Sequence, residues 1–482
     1  MRSEFIAFYF FLLFLLSLFG IHLYRLLWLY FRHKDDEIHE PELTSFPHVT
    51  VQLPVYNERH VIERLLNSVA SLDWPKDKLE IQVLDDSDDD TSDIIARVAA
   101  EIRFSGISLN HIRRSNRMDF KAGALANGLQ MTKSEFVAIF DADCIPESDF
   151  LRRTISHFQN DKVAMVQTRW EFVNRRESLL CRAQALFLDS HFHIEQLARS
   201  RGGLLYNFNG SAGVWRKSAI IDSGGWSGET LTEDLDLSIR AQLAGWEFRY
   251  LDHVAVPTEL PSTVRGFRSQ QYRWAKGALE TALVRFGDIW KSPIGLRKKV
   301  GVTLHLGHKL MNPVLVALAA LLVPALYFRL ESGYQKLFLI DLPIFILGAG
   351  SMSIFYGVAY RRENTTKRFW DVLILPFLTS LGVALAVNNS RAVFSALFKR
   401  KTPFIRTPKR GFTELRNSNE SKSYHIAGDR MTHLEATLAI YALVALVIAT
   451  SLKLYFTLPF LATFAVGYSY ISYLNYAESH EK

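Results

Sequence analysis

Phe136-Val137-Ala138-Ile139-Phe140-Asp141-Ala142-Asp143 is the stretch that decides the fold. Its apolar, partly β-branched and aromatic run reads as a buried strand, and no turn residue separates it from the two aspartates. Strand alternation puts Asp141 and Asp143 on the same side of the extended segment. An isolated Asp-x-Asp is more often a solvated turn. Position gives this one weight, because ligands of open α/β sheets gather beyond the carboxyl ends of the strands.

Working outward, Val49-Thr50-Val51-Gln52-Leu53 alternates up to Pro54, Leu79–Leu84 ends at Asp85-Asp86, and Ser108–Ile112 forms a further strand. Helical periodicity over Ile62–Leu72 and Phe120–Met131 fills the intervals. From His48 to about Arg285 this alternation predicts a parallel sheet covered by helices. Three strands would then bring Pro54–Glu58, Asp85–Ser87 and Asp141–Asp143 to one edge.

The 482 residues are 49% apolar with a mean hydropathy of +0.04, which suits either a rich soluble core or scattered membrane helices. Distribution decides between them. Phe5–Tyr24, Leu310–Phe328, Leu342–Tyr360, Val372–Ser390, Ala436–Leu452 and Leu454–Ala477 contain no Asp, Glu, Lys or Arg, and about 17–25 such residues cross a bilayer. The first stretch is too long, and too weakly basic at its start, for a cleaved signal peptide, so it reads as an uncleaved anchor.

The net charge of +7 is concentrated beside these stretches, in Arg361, Arg362, Lys367 and Arg368 and in Lys399, Arg400, Lys401, Arg406, Lys409 and Arg410. Basic loops next to apolar helices mark a cytoplasmic side rather than a nucleic-acid partner. Both loops can be cytoplasmic if Val372–Ser390 lies in the interface or re-enters. Pro376, Gly382 and Asn388-Asn389-Ser390 interrupt or end that stretch, and Arg391–Phe398 reads as a short amphipathic segment. The predicted organisation is an anchor over 1–34, a cytosolic block over 48–286, two crossing helices within 300–360, interfacial helices and a loop over 369–430, and two crossing helices within 434–477. This makes five spans with the amino terminus outside. Cys144 and Cys181 lack metal-binding or disulfide spacing, which fits a reducing compartment.

Four other motifs carry chemistry beside a plainer reading. Thr232-Glu233-Asp234 opens the helical Leu235–Leu243 and could be a cap with acidic first-turn residues; as chemistry, Asp234 is a general base for a hydroxyl nucleophile. Gln270-Gln271-Tyr272-Arg273-Trp274 sits on a helix, where Trp274 could be core with Arg273 stacked on it. Alternatively Arg273 is a fixed cation for a diphosphate and Trp274 a platform for a sugar face. Lys121, near a helix start, is either exposed or a phosphate contact. Phe208-Asn209-Gly210-Ser211-Ala212-Gly213 is a tight turn or a place where an acceptor approaches backbone. Asp88–Asp90 and Asp236 are assigned to solvent, capping or a helix face.

The order of these motifs resembles the processive family 2 glycosyltransferases, which include cellulose synthases and cellulose synthase-like mannan and glucan synthases. The resemblance is carried by Val51–Glu58, Val83–Ser87, Lys121–Leu125, Asp141–Asp143, Asn209–Gly213, Thr232–Asp234 and Gln270–Trp274. It implies a GT-A, Rossmann-like catalytic domain joined to an α-helical transmembrane domain, and an inverting transfer of a hexose from UDP-glucose or GDP-mannose to a growing β-linked glycan. A Mg²⁺ or Mn²⁺ ion would be held at Asp143. Pro54, Tyr56, Glu58, Asp85, Asp86, Lys121, Asp141 and Arg273 would bind the nucleotide sugar. Asp234 would be the base, and Asn209, Gly210, Glu233, Gln270 and Trp274 would face the acceptor. Phe404-Ile405-Arg406-Thr407-Pro408-Lys409 is similar to the family's gating loop Phe-x-Val-Thr-x-Lys, with Phe404, Thr407 and Lys409 matching and Arg406 in place of valine.

The expected partners are a nucleotide-sugar donor, a glycan acceptor and a lipid bilayer, with the oligomeric state open. The expected location is a bacterial inner membrane or a Golgi-type membrane. Since the chain ends soon after its last apolar stretch, a regulatory cyclic-di-GMP domain is not expected. Two other functions share the acidic framework: addition of one sugar to ceramide or diacylglycerol, and nucleotide binding without catalysis.

Overall fold

Seven strands form one sheet: β1 (Val49–Val55), β2 (Leu79–Asp85), β3 (Ser108–Arg113), β4 (Phe136–Ile139), β5 (Val163–Phe172), β6 (Gly213–Arg216) and β7 (Glu247–Thr258). Their order is β3-β2-β1-β4-β6-β5-β7. The structure is a computed structural model describing residues 2–36, 41–331, 346–363, 372–400, 402, 406–407, 409–411 and 431–480.

β1 pairs in parallel with β2 and β4, with Val55 opposite Asp85 and Gln52 opposite Ile139. This register brings the carboxyl ends of all three strands to one edge. The all-parallel expectation is corrected at β6, which runs antiparallel to β4 and β5. The chain reaches β6 through the loop carrying Asn209 and Gly210, already at the carboxyl edge, so this strand must run back. β1 is buried along both faces. Its polar members are paired inside the sheet: Gln52 Nε2 donates to Gln82 Oε1 at 3.0 Å, and Thr50 Oγ1 bonds Ser134 Oγ at 2.8 Å. Such pairing removes the cost of burying polar groups.

One face of the sheet packs Val51, Leu53 and Val83 against Leu65 and Leu66 of the helix Ile62–Ala70 and Ile95 and Val98 of the helix Thr91–Phe104. The other face contributes Val137, Ile139 and Trp215 to a core that continues without a break into Leu26, Leu29, Ala384 and Phe464 of the long apolar helices. The sheet and the apolar helices therefore share one interior. Three ion pairs reinforce this seam. Asp252 binds Arg201 at 3.1 Å and Arg362 at 2.5 Å, and Arg268 meets the fully buried Glu435 at 3.1 Å.

Among the described residues, Glu4–His33 and His433–Ser451 are long and apolar enough to cross a membrane, and the pair Leu296–Ala320 and Leu322–Phe328, bent by 55°, would make a third. The expected stretch Leu342–Tyr360 is described only from Ile346 onward. Val372–Ser390 departs from its reading. A single helix runs over Ile374–Leu397, through Gly382 and through Asn388-Asn389-Ser390. Pro376 falls in the first turn, where its missing N–H is no loss. The polar trio is buried rather than at a surface, with Asn388 Nδ2 donating to Arg268 O at 3.0 Å and Ser390 Oγ to Ala386 O at 2.6 Å. This helix buries most of one side against its neighbours, while Leu373, Phe394 and Leu397 stay exposed.

Candidate active site

A cleft opens at the carboxyl edge of the sheet, floored by the ends of β1, β2 and β4 and walled by the helices Phe120–Met131, Glu233–Leu243 and Val264–Lys291. Pro54, Tyr56, Glu58, Asp86, Lys121, Asp141, Asp143, Asn209, Gly210, Glu233, Asp234, Gln270, Arg273 and Trp274 all line it. Residues separated by as many as 220 positions in sequence thus meet in one place.

The sheet sets the floor. Asn57 takes a left-handed conformation, φ 56°, which turns the chain after β1. Its N–H donates to Ser87 Oγ at 2.9 Å and its side chain to Asp88 at 2.6 Å, so the loops after β1 and β2 are stitched together. Asp88, assigned to solvent or capping, acts in this stitch.

Asp85 and Asp86 part company here. The Asp85 side chain accepts from Ser87 N–H at 2.9 Å and Ser92 Oγ at 2.6 Å and bonds His111 at 2.8 Å. It is buried and absent from the cleft lining, which corrects its assignment to the nucleotide site. Burial works against its charge, yet these bonds hold its carboxyl down at about 2. Alternation explains the difference: at the end of β2, adjacent side chains point to opposite faces. Asp86 faces the cleft and is gripped by Arg114 through two bonds, one of them Nε to Oδ1 at 2.9 Å. The Arg117 guanidinium lies over the Tyr56 ring.

Lys121 joins three motifs. Its ammonium donates to Asp141 Oδ1 at 2.5 Å and Gly210 O at 2.8 Å and stands 4.0 Å from Glu233. Burial opposes its charge, but Asp141 and Glu233 outweigh that and raise its pKa. Gly210 is at φ +79°, and a Cβ there would lie 3.0 Å from Asp234 Oδ2 and 3.4 Å from Lys121. Glycine is what allows the backbone so close to the base.

Asp234 sits in the first turn of the helix Glu233–Leu243. Burial and the neighbouring Glu233 charge lift its carboxyl to about 7. Burial also raises Glu233, with Lys121 opposing. A carboxylate poised near neutrality is suited to accepting a proton from an attacking hydroxyl. Asp236 is more than a helix-face residue: it is fully buried and binds Arg240 at 2.8 Å and Arg285 at 2.6 Å, clamping this helix to Val264–Lys291. From the latter helix Gln270, Arg273 and Trp274 face the cleft. Burial lowers Arg273 to about 10 against the pull of Asp141 and Glu233, leaving a firm cation at neutral pH.

Described residues of the loop after the helix Ile374–Leu397 cross the opening. Thr407 Oγ1 accepts from Arg273 at 3.0 Å, and Lys409 donates to Asp143 Oδ2 at 2.7 Å and also to Glu259 O. Arg406 makes a double contact with Glu58. Burial lifts Glu58 to about 7 despite Arg406. Phe404 lies outside the described residues.

Asp143 also accepts from Thr258 Oγ1 at 2.5 Å and Glu259 N–H at 3.0 Å. Burial would raise its carboxyl, but Lys409 and these bonds hold it at about 2. Among the described residues no group of three or more His, Cys, Asp or Glu could cage a metal. The donor set fits a different arrangement, in which Mg²⁺ or Mn²⁺ takes one or two carboxylates and completes its shell with substrate phosphates. The Lys409 ammonium already shows that Asp143 stabilises positive charge.

Arg114, Arg117, Arg406 and Glu259 were not anticipated as site residues. Arg114 directly follows β3 and Glu259 directly follows β7, so the strand-end rule applied to all strands would have found both. Arg117 and Arg406 carry no such signal.

Residues 47–277 match the family described as glycosyltransferase like family 2. Glucomannan 4-beta-mannosyltransferase 1 of Oryza sativa subsp. japonica is 35% identical over 85% of this chain and 80% of the relative. Glucomannan 4-beta-mannosyltransferase 2 of Arabidopsis thaliana is 46% identical over 51% of this chain and 48% of the relative. Among solved structures, the mannosyltransferase PcManGT from Pyrobaculum calidifontis in complex with GDP-Man and Mn²⁺ has a TM-score of 0.55 at 20% identity, over 80% of this chain and 100% of that one. The last is a likeness of fold. With the GT-A architecture and a relationship over most of both chains in place, the chain belongs to the family 2 glycosyltransferases, in the cellulose synthase-like group of mannan-synthase type, and is a hexosyltransferase.

Proposed function

We propose that the protein transfers mannose from GDP-mannose to the 4-hydroxyl of a growing β-linked polysaccharide, at the cytosolic face of the membrane that its apolar helices cross. The observation that carries this reading is the single cleft lined by Asp143, Asp234 and Trp274. The names of its relatives, glucomannan 4-beta-mannosyltransferases, favour mannose and the β-1,4 linkage over UDP-glucose.

In this reading Asp234 takes the proton of the acceptor hydroxyl as that oxygen attacks the anomeric carbon. The bond to the diphosphate breaks on the opposite side, and one displacement inverts the configuration. Trp274 offers its ring to the acceptor sugar, with Gln270 and Asn209 beside it. Arg273 and Lys121 offset the charge of the departing diphosphate. A divalent ion bound at Asp143 with Asp141 nearby would supply further neutralisation at the phosphates. Tyr56 and Asp86 form the nucleotide end. The apolar helices that share the catalytic core provide the route by which product leaves, and the loop bearing Thr407 and Lys409 opens and closes the cleft.

Purified protein in lipid, supplied separately with radiolabelled GDP-mannose and UDP-glucose plus Mg²⁺ or Mn²⁺ and then with chelator, tests this. The expected result is GDP-mannose turnover exceeding UDP-glucose turnover by at least about tenfold, loss with chelator, and label that stays insoluble after organic extraction. Preference for UDP-glucose overturns the sugar assignment. Label wholly in the organic phase identifies a lipid acceptor instead, and no turnover identifies a noncatalytic nucleotide binder.

A further inference from the structure

A closed ring of five side chains lies behind the acceptor end of the cleft, and the chemistry above does not use four of them. The segment Ser190–Gln196 is π-helical, a rare geometry that is frequent at functional sites. It brings His191 Nδ1 to 3.0 Å from Glu195 Oε2. From Glu195 Oε1 the ring continues to His305 Nδ1 at 3.1 Å, and His305 Nε2 lies 3.1 Å from Asn207 Oδ1. Asn207 Nδ2 donates to Asn209 Oδ1 at 2.9 Å, and that oxygen lies 3.0 Å from His191 Nε2, which closes the circuit. Arg199 Nε donates to Glu195 Oε1 at 2.9 Å and pins it from outside the ring.

Only one member of the ring reaches the cleft: Asn209 is in its lining. Its Nδ2 is buried and has no hydrogen-bond partner among the described residues. An amide group without a partner is costly, and Asn209 is the ring member through which a ligand in the cleft would supply one. Asn209 is also next to Gly210, the residue against which Asp234 packs. A sugar hydroxyl held by Asn209 would therefore be beside the base.

We propose that the ring positions the acceptor: Glu195 orients His191 and His305, which with Asn207 fix the Asn209 amide, and Asn209 hydrogen-bonds a hydroxyl of the incoming neutral sugar. Glu195 and His191 are positioning residues, and Asn209 is the group that touches substrate. His305 belongs to the helix Leu296–Gly307, the first part of the bent apolar pair. The acceptor-facing amide is thus tied through Asn207 to the helix that carries His305. This inference rests on the transferase reading and adds to it the residues that hold the acceptor.

The test compares the full-length protein with Glu195→Gln, Asn209→Ala and the double variant, using GDP-mannose as donor and β-1,4-linked mannotetraose as acceptor. The readout is the ratio of transfer to donor hydrolysis, together with the KM for mannotetraose. In Glu195→Gln the ratio falls about tenfold and the acceptor KM rises, as expected for loss of one oriented hydrogen bond. In the double variant the loss is no greater than in Asn209→Ala, because Glu195 acts through that amide. His191→Asn, at a partly exposed position, gives the same non-additive pattern and stands in if Glu195→Gln fails to fold. Additive losses, or equal falls in transfer and hydrolysis, overturn the inference and leave the transferase reading intact. A wild type that neither transfers nor hydrolyses a nucleotide sugar overturns both.

Discussion

Asp234 has a titration behaviour set by its neighbours. Burial and the charge of Glu233 favour its protonated form and place its pKa at about 7. A protonated base cannot accept the acceptor's proton, so kcat/KM is expected to fall by about tenfold per unit as pH drops below that value. The limb belongs to the Glu233–Asp234 pair rather than to either group alone. Glu233→Gln removes the repulsion that favours the proton, and its acid limb therefore shifts to lower pH. A pH–rate profile checks this, and an unmoved or raised limb would contradict it. At this scale much was legible in the sequence: the cleft gathers Asp141, Asp143, Asp234, Arg273 and Trp274 from motifs that could be read in isolation. Asp85 was not separable from Asp86, because both end the same strand and only the pleat decides which one faces the cleft. Nor could sequence show that Lys121 would tie Asp141 to Gly210, since that contact depends on two loops meeting in space.

Two elements hold these residues in register. The helix Glu233–Leu243 is fastened by Asp236, which meets Arg240 and Arg285 in a buried setting. Asp236→Ala would remove the shared carboxylate while Arg285 keeps Glu229 and Arg240 keeps the carbonyls of Ser223 and Gly225, a loss of about 1–3 kcal/mol. A lowered thermal midpoint in detergent or lipid checks it, and an unchanged midpoint would place the clamp elsewhere. The second element is the loop bearing Arg406, Thr407 and Lys409, which places cations on Glu58 and Asp143. Gly411 ends this strap at φ +69°, where a Cβ would meet His60 O at 2.3 Å. If Lys409 competes with a divalent ion for Asp143, Lys409→Gln tightens Mn²⁺ binding in the presence of GDP by several-fold, on the order of 1 kcal/mol. Titration of free Mn²⁺ by electron paramagnetic resonance reads this directly, and weaker binding would mean that Lys409 helps to build the ion site. The likeness of this loop to a gating segment was visible in Thr407 and Lys409. The pairing of Arg406 with Glu58 was not, since the partners are 348 residues apart.

The whole molecule is one interior shared by a mixed sheet and a set of apolar helices. Its strands were readable from local pattern, yet the reversal of β6 was not, because direction depends on the edge from which the chain enters. The end of the helix Ile374–Leu397 was misplaced for a related reason: Asn388, Asn389 and Ser390 look like a terminus until their buried partners are known. The central claim is that the distant motifs form one catalytic cleft with Asp234 as its base. Donor binding and turnover measured side by side in wild type and Asp234→Asn test it most directly. The account predicts unchanged affinity for the nucleotide sugar and a fall in transfer of about 10²–10⁴-fold. Transfer at the wild-type rate with Asn at 234 would contradict it.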